Sequence, residues 1–157
     1  SKPIFVEKFD NEIITSVINT GSRILAVGNK TIAYFSWNGK HKTIPQLDNS
    51  VMKFKVINNK TAVFVTGNTG NLSGSTVSVY NSRGVIVSTF NVDDNIDDIS
   101  LASDTVWILA NNTVKKYSVD GKFNDSPDNL SASPIHICGL KKNSFAFVSQ
   151  AKLIFYK

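Results

Sequence analysis

The residues best suited to chemistry are few in this chain of 157 residues. It has one cysteine, Cys138, and two histidines, His41 and His136, in distant segments. No serine or cysteine lies in the sequence setting of an activated nucleophile, and a single cysteine cannot supply the usual ligands of a zinc site. The glycine-containing stretch "TGNTGNLSG" from Thr66 lacks the Lys-Ser/Thr of a phosphate-binding loop. We therefore expect no catalytic residues, no metal and no cofactor, and expect that the protein is not an enzyme.

An acidic segment, "DDNIDD" from Asp93 to Asp98, is the strongest candidate for a cation site. It lacks the central glycine and the distal glutamate of a calcium-binding loop. We interpret it as a polar linker between strands and keep a metal site as the alternative.

One aromatic residue is flanked by cations and could bind a ligand. Trp37 lies in "YFSWNGKHK", close to Lys40, His41 and Lys42. An exposed tryptophan beside cations could stack on a nucleic-acid base or a sugar ring. The alternative is that Trp37 packs between neighbouring sheets. Trp107, within the apolar run "TVWIL", is expected in the core.

Two lysine pairs interrupt apolar strands. Lys53 and Lys55 alternate with Met52, Phe54 and Val56, so the two sets are expected on opposite sides of one strand. If that strand lines a central channel, the channel is basic and attracts an acidic partner.

The second pair, Lys115 and Lys116, lies in the apolar strand that begins at Thr113. Both pairs could equally lie on solvated strand edges. These four lysines join the residues around Trp37 as binding candidates. The full set is Trp37, Lys40, His41, Lys42, Lys53, Lys55, Lys115 and Lys116.

A repeated phrase predicts the elements that carry these residues. "TIAYFSWNGK", "TVSVYNSRGV" and "TVKKYSVDGK" share one pattern, and "KLIFYK" is a shorter fourth copy. The phrases start at Thr31, Thr76, Thr113 and Lys152, and each has an aromatic residue four positions later. The first three have a glycine eight positions later, typical of a hairpin turn that requires positive φ.

The phrases fit a fold made only of strands. An almost continuous apolar strand precedes each phrase, and another strand precedes that one. A weaker strand follows the glycine turn, and no segment has the 3.6-residue period of a helix. We predict four antiparallel sheets of four strands each, in repeats of about 40 residues.

The expected boundaries of these units, or blades, are residues 13–49, 50–95, 96–134 and 135–157. The fourth unit has no fourth strand of its own. Because residues 4–9 resemble the outer strand of the second unit, we expect this N-terminal strand to complete the last blade.

In this repeat pattern the chain resembles the β-propeller proteins of the WD40-like and related groups. The Trp-Asp and Gly-His dipeptides of WD40 repeats and the double glycines of kelch repeats are missing, so the subfamily is not assigned. Three arrangements stay open: a closed ring of four blades, half of an eight-bladed ring made by two chains, and a segment of a longer propeller.

The resemblance implies a non-catalytic scaffold that binds a protein partner, inside the cell and as a subunit of a complex. The formal charge of +5 leaves nucleic-acid binding as a first alternative, and the turn aromatics leave carbohydrate binding as a second. A homodimer is a further option. No apolar run is long enough for a membrane helix, so we expect no membrane partner.

Overall fold

A computed structural model describes residues 5–40, 42–45, 47–57, 61–67, 74–127 and 130–157. These residues form fifteen strands in four antiparallel sheets, with no helix among them. Accordingly, the described part of the chain contains no helix that could cross a membrane.

Within each sheet the strands follow one another in chain order. The first sheet contains β1 (Ile14–Asn19), β2 (Ile24–Gly28), β3 (Ile32–Phe35) and β4 (Lys42–Thr43). The second contains β5 (Val51–Ile57), β6 (Thr61–Gly67), β7 (Ser75–Asn81) and β8 (Ile86–Val92). The third contains β9 (Ile96–Ala102), β10 (Thr105–Ala110), β11 (Thr113–Ser118) and β12 (Phe123–Asp125). The fourth contains β13 (His136–Lys141), β14 (Ser144–Ser149) and β15 (Lys152–Tyr156).

The core lies between consecutive sheets. Every residue of β10 is buried, and β2 and β6 are buried over most of their length. Alternate side chains of these second strands point to opposite neighbours, which explains why their sequences are apolar without alternation. The result confirms the β-propeller architecture of four sheets predicted from the repeats.

Three clusters of buried residues join the sheets in chain order. Between the first two sheets, Leu25 and Ile32 pack with Phe64. Val65 packs with Ile108 between the second and third sheets. The third and fourth sheets pack through a cluster that contains Trp107, Leu109 and Phe147.

The outer hairpins depend on the turn glycines that end the repeated phrase. Gly39, Gly84 and Gly121 have φ angles of 71°, 80° and 86°, a region that favours glycine. At Gly121, an added Cβ would lie 2.8 Å from Cδ1 of Phe90, which belongs to the preceding sheet. The glycine therefore provides both the turn and the space for an aromatic ring of the neighbouring element.

The N-terminal segment differs from the expectation. Among the described residues the fourth sheet has three strands, and residues 5–9 do not pair with β15. Instead Phe5 and Phe9 pack against Phe35 of the first sheet, with ring centroids 5.8 and 6.2 Å apart. Burial of these two rings holds the segment on the first sheet.

The buried clusters of the described residues join the sheets in chain order, from the first to the fourth. No cluster of buried side chains joins the first sheet to the fourth within the described residues. The expected pairing of residues 4–9 with the last blade is not seen among the described residues, where Phe5 and Phe9 contact the first sheet, and Ile4 lies outside the described residues.

Met52 also departs from the expected pattern. Phe54 and Val56 pack in the cluster between the first two sheets, whereas Met52 is 56% exposed. The reason is a register irregularity in the β5–β6 pairing between Val51 and Lys53, which changes the alternation of side chains at the start of the strand.

We expect Gly121→Ala to lower the free energy of unfolding by about 1–3 kcal/mol, because an alanine at this φ is strained and its Cβ contacts Phe90. Gly67→Ala is the matched control, since no atom of the described residues lies within 4 Å of an added Cβ there. Its effect should stay within about 0.5 kcal/mol. Urea denaturation of the three proteins measures both values, and equal stability of the two variants would contradict the role given to the turn.

Candidate interaction surface

The alternating direction of the strands sorts the loops onto two edges of the sheets. Turns that join first to second strands and third to fourth strands lie on one edge. Turns that join second to third strands lie on the other edge, together with the linkers between sheets. We call these edges the basic rim and the acidic rim, after the residues described next.

The basic rim carries exposed cations from all four sheets. They are Lys40, Arg83, Lys122, Lys141, Lys142 and Lys157. None of these six forms an ion pair with another described residue. Two exposed carboxylates, Asp104 and Asp120, lie on the same edge.

The acidic rim has the opposite composition. Its described turns and linkers carry the carboxylates Asp10, Glu12, Asp48, Asp93 and Asp94. Lys30 is the one cation in those described turns and linkers. In the described turns and linkers, cations thus predominate on one edge and carboxylates on the other. Two exposed lysines also lie beside the acidic rim: Lys8, which pairs with Asp10, and Lys152, the first residue of β15.

Trp37 and Lys40 lie on the basic rim, in the turn between β3 and β4. Trp37 is 52% exposed, which contradicts the alternative that it packs between sheets. The Asn38 side chain fixes the turn, because its Oδ1 accepts hydrogen bonds from Ser36 Oγ at 2.8 Å and from the Lys40 backbone N–H at 3.1 Å. His41 lies outside the described residues.

Lys42 is held by the N-terminal segment. Its Nζ lies 2.5 Å from Glu7 Oε1. This ion pair links β4 to residues 5–9, so Lys42 belongs to the contact that anchors the segment.

Lys53 and Lys55 lie on β5, the first strand of the second sheet, with both side chains on the side opposite to Phe54. They pair with Val65 and Val63 respectively, and Phe54 lies on the opposite side. Lys55 is exposed and Lys53 is half-buried. These two lysines are on a different strand and sheet from Trp37, so the structure does not bring the two groups into one site.

Lys115 is bound within the fold. Its Nζ donates a hydrogen bond of 2.5 Å to Asp94 Oδ2, and Asn111 Nδ2 donates to the other oxygen at 2.8 Å. The bond from Lys115 lowers the pKa of Asp94 and raises the pKa of Lys115. The pair ties the linker before β9 to β11.

Lys116 connects the third and fourth sheets. Its Nζ donates to Asn143 Oδ1 at 2.7 Å and lies 5.6 Å from the centre of the Trp107 ring. Trp107 is 2% exposed, as expected for the core. Both lysines of this pair therefore have structural partners.

The acidic segment also has structural partners. Asp97 accepts a hydrogen bond from the Asn111 backbone, and Asp98 accepts one from the backbone N–H of Ile137 in the fourth sheet. Among the described residues no group of three or more potential ligands could hold a metal ion. Asp93 and Asp94 lie in the linker between β8 and β9, whereas Asp97 and Asp98 belong to β9 and accept hydrogen bonds from backbone groups.

The rim cations form a pattern that we did not predict. Lys40 and Lys122 directly follow a turn glycine, and Arg83 directly precedes one. The signal is present in the repeats as "NGK", "DGK" and "RG". It is easily overlooked because Lys40, Arg83 and Lys122 are about 40 residues apart, so no local run of like charges marks them.

We expect Asp94→Asn to reduce the free energy of unfolding at neutral pH by about 0.5–1 kcal/mol, because the charged pair with Lys115 is lost. Since the folded-state pKa of Asp94 is lowered, its contribution is complete above the usual carboxyl pKa and is lost as the pH falls through the lowered pKa. The difference in the free energy of unfolding between Asp94→Asn and wild type should thus shrink below about pH 4. Asp48→Asn, at an exposed carboxylate on the same rim, is the control in urea titrations across pH. A pH-independent difference would contradict the ionic origin.

Comparisons with known proteins agree with the fold. No curated protein matches the chain. Among solved structures, the C-terminal WD40 domain of Sif2 is 11% identical with a TM-score of 0.63, over 93% of this chain and 46% of that one. The N-terminal domain of Nup159 is 12% identical with a TM-score of 0.58, over 88% and 40%. BBS1N is 9% identical with a TM-score of 0.60, over 97% and 56%.

At such identities the likeness concerns the fold alone, and it places the chain among the β-propellers. The chain spans about half the length of the solved chains it matches. A family model covers residues 4–155, nearly all of the repeats. The chain therefore belongs to the family described as "Family of unknown function (DUF5711)".

Proposed function

We propose that this protein is a non-catalytic scaffold whose basic rim binds an acidic segment of a protein partner. The observation that carries the proposal is the separation of charge between the two rims. The rim cations are exposed, and within the described part of the chain they lack ion-pair partners.

An edge with six exposed cations and two exposed carboxylates favours a partner of negative charge. Like-signed side chains around a surface raise the local concentration of an oppositely charged ligand and speed its association. The turn between the third and fourth strands carries one such cation in each of the first three sheets. These cations are Lys40, Arg83 and Lys122. An extended acidic segment could contact them one after another.

Trp37 supplies an apolar anchor on the same rim. Tryptophan and arginine are enriched among the residues that contribute most to protein–protein binding. The exposed indole lies three residues from Lys40, on the turn that Asn38 fixes. We assign Trp37 the role of slowing dissociation and the cations the role of speeding association.

The solved propellers support the coarser part of the proposal. BBS1N was solved in complex with ARL6DN, and Nup159 of S. cerevisiae was solved with Dbp5. ARL6DN and Dbp5 are partners of BBS1N and Nup159. The two complexes are precedents for protein binding by this fold.

A fluorescent peptide of alternating glutamate and serine represents the acidic segment of the partner. A glutamine analogue of this peptide is the neutral probe. We expect binding of the acidic peptide that weakens as salt is added. Arg83→Glu should weaken it about tenfold, and Lys40→Glu combined with Arg83→Glu should weaken it further. Lys30→Glu, the same charge reversal on the acidic rim, is the control and should leave affinity unchanged. Fluorescence anisotropy measures all four proteins.

Two results would overturn the proposal. The first is absence of acidic-peptide binding, or equal weakening by Lys30→Glu. The second is tighter binding of a short DNA duplex than of the peptide, with the same dependence on Arg83 and a steep salt slope. That result would assign the basic rim to nucleic acid.

A further inference from the structure

The outer strand of the second sheet has an edge that lacks the protection of its counterparts. The outer strands of the first three sheets are β4, β8 and β12, and among the described residues nothing pairs with their outer sides. β4 has two residues and includes Lys42, whereas β12 has three and includes Asp125. β8 has seven residues and contains neither a charge nor a proline. Because short length and charged side chains keep an edge strand from pairing with other chains, β8 is the one of these three strands that is open to pairing.

The side chains at the start of this edge are apolar and exposed. Val85 and Ile86 are each 54% exposed, and Val87 is 50% exposed. Residues 88–92 pair in unbroken antiparallel register with β7, and the irregularity in this pairing lies at Val87. The backbone groups that alternate residues direct outward have no strand partner within the described part of the chain. Exposed apolar side chains beside open backbone groups are the features of a site where a further strand adds.

The two ends of β8 carry charges of opposite sign. Arg83 lies in the turn that precedes the strand, and Asp93 directly follows its last residue. Both residues are exposed, and neither forms an ion pair with another described residue. When two copies of such a strand run antiparallel, the start of each lies beside the end of the other. Opposite charges of the two copies then attract at both ends of the contact.

We propose that two copies of this chain pair through the outer edges of their β8 strands, antiparallel and about a two-fold axis. The contact is self-complementary, because one strand supplies both sides and brings a cation to a carboxylate at each end. The strand itself places no charge within the contact. A partner of another sequence would need the same order of charges, whereas a second copy already has it.

The charges also predict the register of the two strands. Arg83 and Asp93 lie at equal distances along the chain from Ser88, so Ser88 lies on the two-fold axis when each arginine is opposite an aspartate. Residues 85–87 are then opposite residues 89–91 of the second copy, which are uncharged. This register therefore covers the three exposed apolar side chains without placing any of them opposite a charge.

The mass of the chain in solution, measured by light scattering over a range of micromolar concentrations, tests the contact. We expect the mass to rise with concentration toward about 34 kDa, twice the 17.2 kDa of one chain. Val87→Asp should keep the mass at that of one chain, because it places two carboxylates close to the two-fold axis. Val17→Asp is the matched control, at a valine of β1 that is 68% exposed, and should leave dimerisation unchanged.

Reversal of the two charges tests the direction and register of the strands. Arg83→Glu and Asp93→Lys should each raise the dissociation constant of the dimer about tenfold, because like charges then meet at both ends. The double variant, Arg83→Glu with Asp93→Lys, should restore dimerisation, because opposite charges meet again. A role of either residue in the stability of the fold alone would not produce this rescue.

Hydrogen exchange locates the contact within the chain. We expect the backbone amides of β8 to exchange more slowly at high than at low protein concentration, whereas those of the outer strand β12 should be unaffected. This inference does not depend on the proposed function, and Lys40→Glu separates the two. That variant should weaken binding of the acidic peptide without changing the mass, because Lys40 lies on the first sheet, away from β8.

The proposal fails on any of four results. They are a mass of 17.2 kDa at every concentration, a dimer that persists in Val87→Asp, a double variant that does not regain dimerisation, and concentration-dependent protection outside β8 alone. Assemblies that grow beyond the dimer would also contradict it, because a two-fold contact is closed.

Discussion

Burial of each sheet against the next is the constraint on which this structure depends. The second strand of each of the first three sheets is apolar on both sides, and a sheet of four strands cannot cover both of its own faces. Val63 and Val65 of β6 point to the third sheet, whereas Phe64 between them points to the first. Stability therefore belongs to the contacts between sheets, as in other proteins made of stacked repeats.

This constraint also determines where function can reside. Because the sheet faces are needed for the core, the turns of the two rims carry much of the exposed charge, while Lys55 on β5 is an exposed lysine within a strand. The cations on one rim and the carboxylates on the other follow the same alternation of turns. The ends differ, since Phe35 is covered by Phe5 and Phe9 whereas Phe155 is exposed. The basic rim is thus the surface that the charge distribution of the described residues favours for a partner.

The sequence was sufficient for the fold because its signals are local. The buried second strands, the weak fourth strands near Lys42 and Phe123, and the glycine turns all follow from residues close together in the chain. The position of residues 5–9 was not predictable in this way. Its contact with Phe35 and its lack of a strand partner among the described residues depend on segments distant in sequence.

The roles of individual lysines depended on partners distant in sequence. Asp94 is 21 residues from Lys115, and Asn143 is 27 residues from Lys116. Spacing alone could not separate these bound lysines from the free cations of the turns. Of the eight sequence candidates, Trp37 and Lys40 lie on the basic rim, and Lys42, Lys115 and Lys116 serve the fold. Lys53 and Lys55 lie on an inner strand, and His41 is outside the described residues.

The most direct test of the central claim is urea unfolding of Ile108→Ala, at a residue that is 0% exposed between the second and third sheets. If the sheets are stable only together, unfolding stays a single transition for all probes and the free energy of unfolding falls by about 2–5 kcal/mol. A loss below about 1 kcal/mol, or separate transitions for different sheets, would contradict the account.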